Sequence, residues 1–361
     1  MAKILDKKSM AFLEALVNNP SPVSHEWRGQ QLWLEYLKSY VDEVHVDVYG
    51  TAYGIINPGK DYKVLIEAHA DEISWMVHRI TDEGLIYVKR NGGSDHIAAP
   101  SKRVNIFGKK GIVKGVFGWP AIHTRHNGKE DTPKPHTIFV DVGADSKKEV
   151  EKLGIHIGNV MIYDDGFEVL NGKYFMGRAL DNRVGGFMIA QVARLLKEEK
   201  TELPYSLYIV NSVMEEVGLR GAEMIANTIK PDVAIITDVA HDTSTPLIDK
   251  NIHGDFACGK GPMIAYGPSV HNKLLEIIED TATKQKIPFQ REANSRRTGT
   301  DTDAFAFANG GIPSALISLP QKYMHTTAEM VHRDDVENVI TLIKETLKKI
   351  KYKHDFHYFS V

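Results

Sequence analysis

Two hydrophobic periodicities alternate along most of the chain. Short apolar runs rich in β-branched residues predict buried strands, and apolar positions that recur every three or four residues predict helices. The predicted strands are 44–50, 51–57, 63–70, 205–214, 232–240, 262–267, 288–292 and 313–319. The predicted helices are 8–18, 24–39 with Ser24 as N-cap, 179–199, 219–229, 272–285, a short one from Asp303, and 333–350. This alternation predicts an α/β fold with a largely parallel mixed sheet flanked by helices.

The pattern changes between residues 73 and 165, where helical periodicity is nearly absent. Short β-type segments between glycine-rich turns cover 84–90, 103–119, 136–144 and 158–164. Such segments are typical of a small β-barrel or sandwich. We therefore predict that residues 1–72 and 166–361 form one domain and that residues 73–165 form a second domain inserted into it.

Composition narrows the class of protein. The 361 residues carry 44 basic and 47 acidic side chains, a net charge of −3, which indicates neither a nucleic-acid partner nor binding to an anionic membrane. The single cysteine, Cys258, excludes an intramolecular disulfide and fits a reducing compartment. The first ten residues lack the apolar core of a signal peptide, and no segment approaches the roughly 20 apolar residues of a membrane span. We expect a cytoplasmic protein.

The predicted strand at 205–214 leads into two adjacent carboxylates, Glu215 and Glu216. Adjacent buried carboxylates repel each other, and burial would neutralise them unless a cation lies nearby. Because successive side chains of an extended segment point in opposite directions, the two residues can have different roles. One can bind a metal ion while the other moves protons.

Other predicted strands end on metal-binding residue types as well. The candidates at strand ends, or in the loop before the helix at 179–199, are His69, Asp71, Asp181, Asp238 and His325. Sites in open α/β sheets form beyond the carboxyl ends of the strands. Imidazole and carboxylate donors suit zinc, cobalt or manganese, and this many acids suits two ions that share a bridging carboxylate. Asp71 is placed to accept the second ring N–H of His69.

Each candidate ligand also has an ordinary structural interpretation. Asp181 and Asp238 could cap a helix or a turn, and His69 and His325 could be core or surface histidines. The loop at 299–306 could line a pocket or cap a short helix. We favour a dinuclear metal site because all the candidates fall at strand ends or at loop starts.

Several motifs carry a resemblance to a known family. In chain order they are EAHADE, GRALDNR, EEVGLRGA, the strand end at Asp238, GTDTDAFA and HTTAE. Their order and spacing resemble the tetrahedral (TET) aminopeptidases, cytosolic metallopeptidases of which some bear the names glutamyl aminopeptidase or endoglucanase M. The similarity covers essentially the whole chain. Ser74 and Trp75 stand where the family usually has Gly-Phe, and Thr327 stands where proline is common.

The resemblance implies a role for each site residue. One ion would be held by His69 and Asp238 and the other by Glu216 and His325, with Asp181 bridging, Glu215 as general base and Asp71 as the acid that orients His69. It also implies that residues 73–165 form a PDZ-like dimerisation domain and that twelve subunits form a hollow tetrahedron.

The expected function is therefore a metal-dependent aminopeptidase. It would release the first residue of peptides with a free N-terminus, using two zinc, cobalt or manganese ions and a water molecule between them. A related di-metal carboxypeptidase or N-acyl amino acid deacylase is the main alternative. A glycoside hydrolase needs two carboxylates and no metal, and a binding protein with a decayed site is disfavoured by the intact set of ligands.

Overall fold

The computed structural model describes residues 3–125 and 132–359. The helices are α1 (Lys7–Asn18), α2 (Trp27–Leu37), α3 (Lys147–Lys152), α4 (Leu180–Glu198), α5 (Arg220–Ile229), α6 (Lys250–His253), α7 (Asn272–Gln285), α8 (Thr302–Ala306) and α9 (Arg333–Leu347). The first nine strands are β1 (Glu43–Val46), β2 (Ala52–Ile56), β3 (Lys63–His69), β4 (Ser74–Ile80), β5 (Ile86–Asn91), β6 (Arg103–Gly108), β7 (Gly111–Phe117), β8 (Phe139–Asp141) and β9 (Val160–Tyr163). The others are β10 (Glu168–Leu170), β11 (Tyr174–Gly177), β12 (Ser206–Ser212), β13 (Val233–His241), β14 (Met263–Tyr266), β15 (Gln290–Ala293), β16 (Ser314–Lys322) and β17 (Glu329–His332).

A large mixed sheet forms the main body of the protein. Its strand order is β1-β2-β12-β3-β13-β16-β17-β11-β10, and β14 and β15 extend it beside β16. The four central strands, β12, β3, β13 and β16, are parallel. Antiparallel strands flank them on both sides. The predicted α/β fold with a mixed sheet is thus confirmed, with the parallel part at its centre.

Helix α4 packs against the centre of the sheet and against α1, α2 and α9. Every residue from Leu180 to Leu196 is buried, so this helix supplies much of the core. Gly186 has a packing reason: a Cβ there would lie 2.8 Å from Oδ1 of Asn211. Its carbonyl accepts a 2.8 Å hydrogen bond from Nε1 of Trp33. The close approach of α2, α4 and β12 at this point therefore requires glycine.

A closed antiparallel barrel, strands β4-β5-β8-β7-β6-β9, lies between residues 74 and 163. It has a hydrophobic core separate from that of the large sheet. Trp75 and Phe117 are fully buried at its centre, with ring centroids 5.4 Å apart in an edge-on arrangement. Trp75, one of the departures from the resembled family, is therefore a core residue of the barrel.

Two local expectations were wrong or incomplete. Ser24 is not a helix cap: its φ is +67°, and α2 begins at Trp27. Its backbone N–H instead donates to the side chain of Glu26 at 2.8 Å. Four strands were not predicted: β4, which has seven residues, and β10, β11 and β17, which have three or four residues each. Within the described ranges, no helix is both long and apolar enough to cross a membrane.

The barrel core yields a stability prediction. Trp75→Ala should destabilise the barrel by about 3–5 kcal/mol, because the smaller side chain leaves a cavity that the surrounding residues fill only partly. Urea denaturation followed by fluorescence measures this loss. The control is Trp27→Ala, since Trp27 is 58% exposed, and its cost should stay below about 0.5 kcal/mol. Equal costs at the two positions would contradict the assignment of Trp75 to the core.

Candidate metal centre

The parallel register of the central strands brings distant residues to one edge of the sheet. His69, the last residue of β3, pairs with Ser212, the last residue of β12. In β13, Ile236 pairs with Glu67, so Asp238 lies level with His69. All three strands point the same way, and their carboxyl ends therefore converge.

Two groups of candidate ligands share one aspartate. The first is His69, Asp181 and Asp238, and the second is Asp181, Glu216 and His325. Within each group the nearest donor atoms all lie within 4.8 Å of one another. The structure thus brings the five predicted ligands together.

Asp181 lies between the two imidazole rings. Its Oδ1 atom is 3.1 Å from Nε2 of His69, and its Oδ2 atom is 3.2 Å from Nε2 of His325. Asp238 Oδ1 is 3.6 Å from the same atom of His69. Glu216 Oε1 is 3.3 Å from Nε2 of His325. One carboxylate therefore faces both groups, the geometry that a bridging ligand needs.

Glu215 stands beside the cluster without belonging to either group of donors. Its Oε2 atom is 3.9 Å from Nε2 of His69, and its side chain is 11% exposed. The two glutamates follow β12 in a turn, since the strand already ends at Ser212. Each of them approaches a different histidine. The two side chains were expected to point in opposite directions along a strand, whereas here they follow the strand.

Asp71 holds the two glutamates by their backbone. Its Oδ1 and Oδ2 atoms accept hydrogen bonds from the N–H groups of Glu215 and Glu216, both at 3.0 Å. Its Oδ1 atom also lies 3.4 Å from Nδ1 of His69. The residue predicted to orient the histidine therefore touches three site residues. The contacts with the glutamates were not anticipated from the sequence.

A second positioning acid, Glu329, was missed. It is fully buried, and its two oxygens accept the backbone N–H groups of His325, at 2.8 Å, and Asp181, at 3.0 Å. It thus fixes the backbone of two candidate ligands at once. The acid in the motif HTTAE was the available signal, but nothing in the sequence places it next to Asp181.

Asp181 does not cap helix α4. Asp181 and Asn182 both have non-helical backbone angles. The capping contact comes from Asn182, whose Oδ1 accepts the N–H of Gly185 at 3.0 Å. Its Nδ2 donates to the carbonyl of Thr237 at 2.9 Å, next to Asp238. Asn182, rather than Asp181, therefore caps α4. The carboxylate of Asp181 contacts the two histidines instead.

A buried pair of acids lies behind His69. The hydroxyl of Ser212 is 2.5 Å from Oε1 of Glu67 and 2.7 Å from Oδ2 of Asp301. Because a hydroxyl donates only one hydrogen, it can serve one of these oxygens as donor while accepting from the other. The three side chains link the loop at 299–306 to β3 and β12. This connection was not foreseen.

The pKa values of the clustered side chains are shifted by burial and by their charged neighbours. Burial raises the pKa of Glu215 to about 10. Burial lowers the pKa of His325, but the nearby carboxylates of Asp181 and Glu216 outweigh it, and the pKa rises to about 11. Burial also opposes the charge on Asp181, yet its contacts with the two histidines bring its pKa below the ordinary range. Positive charge is therefore favourable beside these carboxylates.

The donor set fits divalent metal ions. Two imidazole nitrogens and three carboxylates supply the mixed ligands that zinc, cobalt and manganese accept. Although His325 Nε2 is 3.3 Å away, the buried Oε1 atom of Glu216 has no hydrogen-bond donor in the described part of the chain. An oxygen of this kind is available to a cation, and metal binding would displace the imidazole protons.

The cluster opens into a cavity of about 540 Å³. Glu215, His241, Arg297 and Gly299 line it, together with other residues of the loop at 299–306. That loop was expected either to line the pocket or to cap a helix. Asp303 in it accepts the N–H groups of Thr298 and Gly299 instead of capping α8.

A larger cavity, of about 1000 Å³, lies at the opposite end of the sheet. Its wall includes Asp61, Asp232 and Pro313, which precede β3, β13 and β16, and residues 353–359. No candidate ligand lines it. The chemistry of the donor cluster, rather than size, therefore identifies the cavity of interest.

Comparisons with known proteins identify the family of this chain. The family model for M42 glutamyl aminopeptidase matches residues 50–342. This chain belongs to the M42 glutamyl aminopeptidase family. It is 33% identical over 344 residues to the lysyl aminopeptidase of Pyrococcus furiosus, an alignment that covers 94% of this chain and 96% of that protein.

Solved structures of TET aminopeptidases share the fold. The TET aminopeptidase of the marine sediment archaeon Thaumarchaeota archaeon superimposes with a TM-score of 0.90 at 30% identity, covering 95% of this chain and 97% of that one. The TET1 peptidase of Pyrococcus horikoshii, which can assemble into a tetrahedron or a large octahedral shell, gives 0.82 at 29% identity, covering 93% and 98%. The resemblance seen in the sequence motifs is thus confirmed.

The protein is accordingly a metal-dependent aminopeptidase of the M42 family. A related carboxypeptidase or N-acyl amino acid deacylase is not favoured. Of the departures from the family pattern, Trp75 lies in the barrel core and Thr327 is buried, and neither lines the cavity beside the donor cluster.

The position of Asp71 in this M42 aminopeptidase predicts the effect of Asp71→Asn. An amide retains only one oxygen acceptor, so one of the N–H groups of Glu215 and Glu216 loses its partner. We expect a loss of about 10–100-fold in metal affinity or in kcat. Titration with zinc and steady-state kinetics measure both quantities.

The matched control for Asp71→Asn is Asp47→Asn. Asp47 also accepts backbone N–H groups, those of Tyr49, Gly50 and Thr51, but lies in a surface turn. Asp47→Asn should therefore leave metal affinity and kcat unchanged. Wild-type values for Asp71→Asn would show that the carboxylate does not position the site.

Proposed function

We propose that this chain removes N-terminal residues from peptides at two divalent metal ions, with Glu215 as the general base. The observation that supports this is the pair of donor groups that share Asp181, with a further carboxylate left over beside them. A single ion would leave buried acids without a counterion. Two ions use every donor and leave one acid free for proton transfer.

The proposed ligand sets follow from the two groups. His69 and Asp238 would hold one ion, Glu216 and His325 would hold the other, and Asp181 would bridge them. Bound ions of this kind lower the pKa of water toward neutrality and polarise a substrate carbonyl. Zinc, cobalt and manganese all match the donors.

The chain's own residues would move the proton. With the ions bound, their positive charge would lower the pKa of Glu215, so that its carboxylate could accept a proton from the attacking water and return it to the amine that leaves. Asp71 keeps this carboxylate in place through the backbone N–H of Glu215. The carboxylates around the cavity favour a substrate with a free, cationic amino terminus over one that is acylated.

The test of this function is Glu215→Gln. The amide keeps the shape of the side chain but cannot accept the proton, so kcat should fall by about 10²–10⁴-fold. Because Glu215 is not a proposed ligand, metal analysis should find about two ions per chain in both proteins. A peptide with a free amino terminus is the substrate, and its N-acetylated form should not be cleaved.

Glu223→Gln serves as the control for Glu215→Gln. Glu223 lies on α5, and its half-exposed side chain pairs with Arg220. Glu223→Gln should therefore change neither kcat nor the number of bound metal ions. Loss of metal from Glu215→Gln would show that the division of roles between the two glutamates is wrong. Cleavage of the N-acetylated peptide at an equal rate would favour a deacylase or another hydrolase.

We further propose that the chain assembles into a dodecamer through the barrel, as a PDZ-like dimerisation domain. The barrel presents apolar side chains to solvent, among them Ile112 at 53% exposure and Val116 at 40%. By contrast Ile106 and Phe117 are fully buried in the barrel's own core. The assemblies formed by the TET1 peptidase of Pyrococcus horikoshii support this proposal.

Light scattering tests the assembly. The particle should have the mass of twelve chains of 40.4 kDa each. Replacing Ile112 and Val116 together by glutamate should lower the mass, because buried like charges oppose association. The control is Val169→Glu, on strand β10 of the large sheet, which should leave the particle mass unchanged. A monomer mass for the wild-type chain, or an unchanged mass for the double variant, would contradict the proposal.

A further inference from the structure

The cavity beside the donor cluster contains an acid that has no cationic partner among residues 3–125 and 132–359. Glu292, on strand β15, lines the same cavity as Glu215 and His325. It is half-buried. Among the described residues its side chain interacts with Asn294 and forms no ion pair.

The other charged residues of this wall are engaged or exposed. Asp303 accepts the N–H groups of Thr298 and Gly299 and the hydroxyl of Ser269. Arg297 is exposed to solvent, so water and salt screen its charge. Away from the metal cluster, Glu292 is therefore the acid of the cavity that is free to bind a cation.

Burial destabilises the charged form of the Glu292 carboxylate. It raises the pKa of Glu292 above the ordinary value of a glutamate, because the charged form loses hydration. A ligand cation beside it would offset this cost. The attraction is also stronger in the partly buried wall than at the surface, since less water screens it.

The same cavity also offers apolar surface. Leu219, Leu316 and Met324 line it. A lysine or arginine side chain can lay its methylene groups on such residues while its charged end reaches a carboxylate. A cavity of about 540 Å³ is large enough for either side chain.

We propose that Glu292 makes this aminopeptidase selective for peptides that begin with lysine or arginine. The carboxylate would receive the cationic end of that first side chain. This inference rests on the proposed function, because it assigns the cavity to the first residue of the substrate. Selection of acidic first residues by Arg297 is the competing outcome.

The experiment compares three tripeptides, X-Ala-Ala, in which X is lysine, norleucine or glutamate. Norleucine has the methylene stem of lysine without the charge, so the pair isolates the ionic contact. For the metal-loaded wild-type protein, kcat/KM should be about 10-fold or more higher for lysine than for norleucine. Glu292→Gln should bring this ratio to about 1 and leave the value for norleucine within about twofold.

Two controls define the specificity of the result. Glu276→Gln removes the same charge from an exposed position on α7 and should leave the ratio unchanged. Calorimetry with free L-lysine and L-norleucine provides a readout without turnover: wild type should bind lysine more tightly, and Glu292→Gln should bind the two alike.

Three results would overturn the inference. They are equal kcat/KM values for lysine and norleucine in the wild type, a uniform loss for all three tripeptides in Glu292→Gln, and a preference for glutamate that Arg297→Gln abolishes. If none of the tripeptides is cleaved, the proposed function fails instead. Calorimetry then still decides whether Glu292 binds a cationic side chain.

Discussion

The carboxylate of Asp181 is held between two imidazole rings, 3.1 Å from Nε2 of His69 on one side and 3.2 Å from Nε2 of His325 on the other. Around it lie Asp238 and two glutamates, all largely withdrawn from water. Several buried acids repel one another strongly, and such an arrangement persists only when positive charge balances it. The architecture at this end of the sheet can be understood as a means of keeping these groups together.

Backbone hydrogen bonds provide that means. Asp71 accepts two N–H groups from the turn after β12, and Glu329 accepts one from Asp181 and one from His325. Asp71 thereby fixes one turn, and Glu329 fixes two separate segments of the chain. The cost of burying the positioning acids is offset partly by these charge-assisted bonds.

The clustering of the candidate ligands could be predicted from the sequence because four of the five lie on or after long, strongly apolar strands. His69 and Asp238 lie on β3 and β13, where the hydrophobic pattern is unambiguous, and parallel strands place their ends together. Short elements were beyond reach: β10, β11 and β17 have too few residues for a periodicity to develop. Their existence depends on pairing partners that are distant in the chain.

Contacts between distant segments could not be predicted from the sequence either. The link from Glu67 through Ser212 to Asp301 joins residues from two strands and a loop, and only the strand register brings them together. The neighbours Asp181 and Asn182 show the same limit at close range. Composition allowed either to cap α4, and the backbone conformation decided that Asn182 does so.

The wide spacing of the ligands along the chain has a consequence for synthesis on the ribosome. His69 is made early, but His325 follows some 250 residues later, after the strand β16 that positions it. A nascent polypeptide that lacks His325 therefore does not yet have the full set of candidate ligands. With the proposed ligands, aminopeptidase activity would therefore arise only after the segment that carries His325 has folded.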